Sequence, residues 1–82
     1  MRDKTTTYPI GDVLVIDHSA HWDDDGETVT VLWEAIQTDG YEEMRAQMHR
    51  SVEGAIEVAQ KWADEDGPEY HHYRVLSRRV LA

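Results

Sequence analysis

Thr28-Val29-Thr30-Val31-Leu32-Trp33-Glu34-Ala35-Ile36-Gln37, followed by Thr38-Asp39-Gly40 and then Tyr41-Glu42-Glu43-Met44-Arg45-Ala46-Gln47-Met48-His49, is the stretch that decides the fold. Val29, Val31, Trp33 and Ala35 recur with a period of two, and Thr28, Thr30 and Glu34 alternate with them. That is the signature of a strand with one buried face. Leu32 and Ile36 interrupt the polar face, so the second face is expected to be partly covered. Asp39-Gly40 then supplies turn residues that tolerate positive φ. Past the turn, Met44, Ala46 and Met48 alternate with Arg45, Gln47 and His49. Residues 41–49 also include good helix formers, but the turn chemistry arbitrates for a returning strand.

Downstream of this hairpin, Ser51 is a candidate N-cap for a helix from Val52 to about Glu65. Val52, Ala55, Ile56, Ala59, Trp62 and Ala63 form one apolar stripe at helical spacing, and Gly67-Pro68 is a stop. Residues 69–81 read as a final strand, with a bulge expected near Ser77 where the alternation falters. Upstream, Asp12-Val13-Leu14-Val15-Ile16-Asp17 is a β-branched apolar run that predicts a strand covered on both faces. Residues 18–27 are a loop by composition, and residues 1–9 a polar lead-in. The expected fold is one α+β domain over residues 1–82: an antiparallel sheet of three to four strands with one helix on one face, in the order β-β-β-α-β.

The chain has 82 residues, no cysteine, and a formal net charge of −9 from 17 acids against eight Lys and Arg. Disulfides, thiolate metal sites and cysteine nucleophiles are therefore excluded. A charge of this sign and size disfavours direct binding to nucleic acid or to anionic membranes. No apolar run reaches the length of a membrane span, and the N-terminus lacks the apolar segment of a secretory signal. A cytoplasmic location is expected. The distribution of charge is more telling than its total. Between Lys4 and Arg45 there is no Lys or Arg, while Asp12, Asp17, Asp23, Asp24, Asp25, Glu27, Glu34, Asp39, Glu42 and Glu43 supply ten negative charges. After Glu69 the sign reverses at Arg74, Arg78 and Arg79.

Chemistry-bearing clusters are few. His18, His21, Asp23 and Asp25 are ligand types, yet their spacing matches no established zinc or calcium motif, so the reading is a solvated acidic loop and no metal or cofactor is expected. His71 and His72 are adjacent on a strand and face opposite ways, with His49 apart from them. Ser19, Ser51 and Ser77 lack a nucleophile context, the five glycines are scattered, and a lone pairing of Glu34 with Asp17 is weak ground for catalysis. No enzyme is expected. Trp33 and Trp62 fit core stripes, whereas Trp22 sits among carboxylates outside any apolar period, as interface anchors do.

In size, charge and element order, with the hairpin at Asp39-Gly40, the capped helix from Ser51 and the closing strand after Gly67-Pro68, the chain resembles small acidic phage-encoded inhibitors of the anti-CRISPR type. That resemblance implies a non-enzymatic binding protein acting in a host cytoplasm. The three-strands-then-helix order is also similar to phage integrase DNA-binding domains, whose sheet faces are basic where this hairpin is acidic. The expected function is a protein-binding inhibitor or adaptor that imitates DNA charge towards a basic, nucleic-acid-handling partner. Its expected contact residues are Asp17, Trp22, Asp23, Asp24, Asp25, Glu27, Glu34, Asp39, Glu42 and Glu43. Self-association through the uncovered sheet face, including a homodimer, and a metal-dependent enzyme are the alternatives.

Overall fold

A computed structural model describes residues 6–18 and 29–81. In chain order the elements are β1 (Thr6–Ile10), β2 (Val13–Asp17), β3 (Val29–Thr38), β4 (Glu43–His49), α1 (Val52–Asp66) and β5 (His72–Leu81). The strands form one five-stranded sheet in the order β1-β2-β5-β3-β4. The fold is α+β, with the helix against one face of the sheet.

Three expectations are corrected. The sheet is mixed, not antiparallel: β2 and β5 pair in parallel, Val13 with Tyr73 through Ile16 with Leu76. The helix makes this arrangement, because β4, α1 and β5 form a crossover around β3 that returns the chain beside β2. Second, the part of the lead-in from Thr6 onward is a strand, pairing antiparallel with β2 from Thr6↔Asp17 to Ile10↔Val13. Pro9 hides this from a sequence reading, but β1 is an outer strand, where a missing N–H costs no ladder bond. Third, β5 runs opposite β3 without interruption from His72↔Thr38 to Leu81↔Val29, so no bulge lies at Ser77. The irregularity falls instead between β3 and β4, at Gln37/Thr38.

The helix stands on alanines. Ala35 of β3 and Ala55 and Ala59 of α1 are fully buried, which lets the helix sit close to the strands. Val13, Val15, Tyr73, Val75, Trp62 and Ala63 complete the core, with Trp33 packed against it. The Ser51 hydroxyl accepts the Gly54 N–H at 3.1 Å, capping the helix as its sequence predicts. The chain leaves the helix at Gly67, whose φ of 78° is a conformation glycine adopts without strain and whose N–H reaches Ala63 O at 2.8 Å.

Strand alternation assigns the opposite face to Thr7 and Pro9 of β1, Leu14 and Ile16 of β2, Thr30, Leu32, Glu34, Ile36 and Thr38 of β3, Met44, Ala46 and Met48 of β4, and His72, Arg74, Leu76, Arg78 and Val80 of β5. No second layer covers it among the described residues.

Candidate functional site

The β3–β4 turn is built by side chains bonding to backbone. Asp39 Oδ1 accepts the N–H groups of Tyr41 and Glu42, both at 2.9 Å. Thr38 Oγ1 accepts the Gly40 N–H at 3.1 Å and donates to Glu42 O at 2.9 Å, and Gly40 takes φ 97°. These contacts, the Glu42 N–H first and the Tyr41 N–H next, hold the Asp39 carboxyl below the usual carboxylate range. The turn therefore presents Asp39, Glu42 and Glu43 together, all exposed.

The helix brings more acid to the same end. Its C-terminus lies beside the turn because Asp66 is tied to the ends of β3 and β4. Gln37 Nε2 donates to Asp66 Oδ2 at 2.8 Å, Arg45 Nη2 donates to the same oxygen at 2.8 Å, and Arg45 Nε donates to Gln37 Oε1 at 2.6 Å. Gln37 is only 1% exposed, and its amide also donates to the Tyr73 hydroxyl at 3.2 Å. Tyr73 in turn donates to Gly67 O at 2.9 Å. The Arg45 guanidinium lies over the Trp62 ring, 4.6 Å from its centroid. This network fastens the helix end to the sheet. Glu65 and Asp66 are exposed there, Glu69 follows in the next loop, and Asp12 stands beside Pro68 and His72. Seven carboxylates, of Asp12, Asp39, Glu42, Glu43, Glu65, Asp66 and Glu69, thus share one end of the molecule.

Acids in the last turn of a helix oppose its dipole, and α1 has no basic residue in its last turn to balance Glu65 and Asp66. The balancing charge for Asp66 comes instead from Arg45, reaching over from β4. Arg45, which is paired with Asp66 and lies 3.7 Å from Glu65, and Arg74 are the nearest described arginines. Arg50, Arg78 and Arg79 stand at the other end of the sheet, Arg78 and Arg79 opposite Leu32 and Val31 and Arg50 just beyond the Trp33↔His49 pair. The described molecule is electrically polarised along its sheet.

The expected contact residues divide accordingly. Asp39, Glu42 and Glu43 are together. Glu34 lies elsewhere, bonded to Arg78 at 2.8 Å, so one of the C-terminal arginines neutralises it. Asp17 accepts from the Ser77 hydroxyl at 3.3 Å on the helix-side face, across the sheet from Glu34, so the two are not a carboxylate pair. Trp22, Asp23, Asp24, Asp25 and Glu27 lie outside the described residues, as does His21. Glu65, Asp66 and Glu69 were missed. Their acidity is plain in the sequence, but their place beside the turn follows from the crossover, which has no local signal.

Among the described residues, no group of three His, Asp or Glu is placed to hold a metal ion, and no helix is long and apolar enough to cross a membrane. The chain matches no family model, no curated protein and no solved structure.

The Asp66 carboxyl is also held below its ordinary range, first by the Gln37 hydrogen bond and then, against some desolvation, by the charges of Arg45 and His71. A carboxyl whose folded pKa is depressed stabilises the fold above its unfolded pKa of about 3.9, and that stability is lost as pH falls through the lower folded value. The melting temperature is therefore expected to fall as pH drops from about 5 towards 2. Asp66→Asn, followed by circular dichroism, should start lower at neutral pH and show a shallower fall.

Proposed function

We propose that this protein is a non-enzymatic binding protein that docks its acidic end on a basic surface of a nucleic-acid-handling protein. The observation that carries this reading is the convergence of Asp12, Asp39, Glu42, Glu43, Glu65, Asp66 and Glu69 from three parts of the chain, with Arg45 at that end already committed to Asp66. Carboxylates grouped on a hydrogen-bonded turn and a helix end can occupy a groove that evolved for phosphates. This is the mode of action that the resemblance to small acidic phage inhibitors implies.

The test uses the full chain, immobilised, with proteins captured from a bacterial lysate. Glu42→Lys with Glu43→Lys and Glu69→Lys should weaken capture at least tenfold, because like charges then face the basic partner. Glu53→Lys with Glu57→Lys, Thr7→Lys and Gln47→Lys makes the same change in net charge at exposed positions outside the acidic end. That control should retain most of the binding. Equal loss in both variants would mean that total charge, not the acidic end, governs association.

A further inference from the structure

We infer that the sheet face opposite the helix, which no described residue covers, is a docking surface for a second copy of this chain. The face opposite the helix is apolar over most of its regular positions. Leu14, Leu32, Ile36 and Leu76 run across β2, β3 and β5, and Ile36 is only 7% exposed although nothing described lies over it. At its margin Met44 is 52% exposed, Met48 46% and Val80 39%. In a two-layer fold with its outer face in water, these positions would be mostly polar. Here Thr30, Glu34, Thr38, His72, Arg74 and Arg78 are polar. Leu14, Ile16, Leu32, Ile36, Leu76 and Val80, with Met44, Ala46 and Met48 of β4, nonetheless form a continuous apolar patch among them.

Charge selects the occupant. The chain carries −9 overall, so most of its surface repels another copy. The charged residues at the regular positions of this face are Glu34, Arg74 and Arg78, and Glu34 and Arg78 neutralise each other at 2.8 Å. Among the described residues, it is a side on which two copies can meet with its one carboxylate, Glu34, already neutralised. A two-fold axis would bring the same patch of each copy together, as isologous dimers require. Area agrees. With strands about 4.8 Å apart and about 3.3 Å per residue, the face presents roughly 600 Å² of planar surface. Two copies then bury on the order of 1,200 Å², the lower bound for a specific, stable interface. The sheets would stack about 10 Å apart, as in a sandwich. The acidic end shares no residue with this face and stays free in the dimer.

Sedimentation of the full chain across concentration and salt tests the inference independently of the acidic-end reading. Wild type is expected to dimerise, and more tightly as NaCl is raised, because salt screens the repulsion between two anionic copies while leaving apolar contact intact. Met44→Gln with Met48→Gln and Val80→Gln keeps the net charge and changes only half-exposed side chains. It should weaken the dimer at least tenfold, since each copy then buries amides without partners. If that variant misfolds, the salt response of the wild type still decides. A monomer at every concentration, a dimer that weakens with salt, or a dimer indifferent to the folded triple variant would overturn the inference. Loss of lysate capture on reversing Glu42, Glu43 and Glu69 without change in sedimentation would separate the two surfaces.

Discussion

Replacing Trp62 by alanine is expected to lower the unfolding free energy by about 4 kcal/mol, most of what an 82-residue domain has. Trp62 is 7% exposed and sits where the helix stripe meets the sheet. Truncation removes a large apolar side chain, leaves a cavity that alanines on either side cannot fill, and takes away the ring on which Arg45 rests. Arg45 then holds Asp66 without its aromatic support, so the helix end should loosen along with the core. Urea unfolding is the measurement, and the variant is expected to be largely unfolded at room temperature or nearly so. Trp62→Phe retains a ring and should cost less than half as much. A loss below about 1 kcal/mol for the alanine variant would mean that the helix is not held at this point.

The second large effect concerns Gln37, the most buried polar side chain described in the fold. Its amide donates to Asp66 and Tyr73 and accepts from Arg45. Gln37→Leu is expected to cost about 2 kcal/mol although it conserves size, because the buried Tyr73 hydroxyl loses its donor and Arg45 and Asp66 each lose a bond that water replaces only in part. For a domain this small that is a fall in melting temperature on the order of 10–20 °C. The variant should also release the Asp66 carboxyl from the bond that does most to depress its titration, moving its pKa up towards the ordinary value. NMR titration of Asp66 in Gln37→Leu would show this, and an unmoved Asp66 would contradict the network.

Both effects turn on residues whose type was visible in the sequence but whose partners were not. The hairpin was legible because alternation from Val29 to Ala35 and the Asp39-Gly40 turn are local signals, and β4 is the strand that the turn demands. The helix was legible for the same reason, through its stripe, Ser51 and Gly67. The parallel pairing of β2 with β5 joins residues some sixty apart, Val13 with Tyr73, and neither segment carries a mark of its neighbour. The apolar run Val13–Ile16 indicated covering on both faces, but among the described residues only the Val13 and Val15 side is covered, by the helix, and Leu14 and Ile16 are half-buried on the other. Ser77 misled because a polar residue broke an apolar pattern. It is buried because its hydroxyl accepts the His18 N–H and donates to Asp17, a satisfaction invisible to periodicity. Gln37 looked like the polar end of a strand for a similar reason. The charge asymmetry was legible as a fact of composition, but where it concentrates was not. Glu34 is neutralised by Arg78, while Glu65, Asp66 and Glu69 join the turn from the far side of the crossover.

Binding carried by the carboxylates of the acidic end must weaken as salt screens them. With a captured partner purified, its affinity for the full chain should fall steadily as NaCl rises from about 50 to 500 mM, and the slope should be shallower for the Glu42, Glu43 and Glu69 reversal. An affinity that holds constant or grows over that range would show that carboxylates at the turn and helix end do not carry the contact.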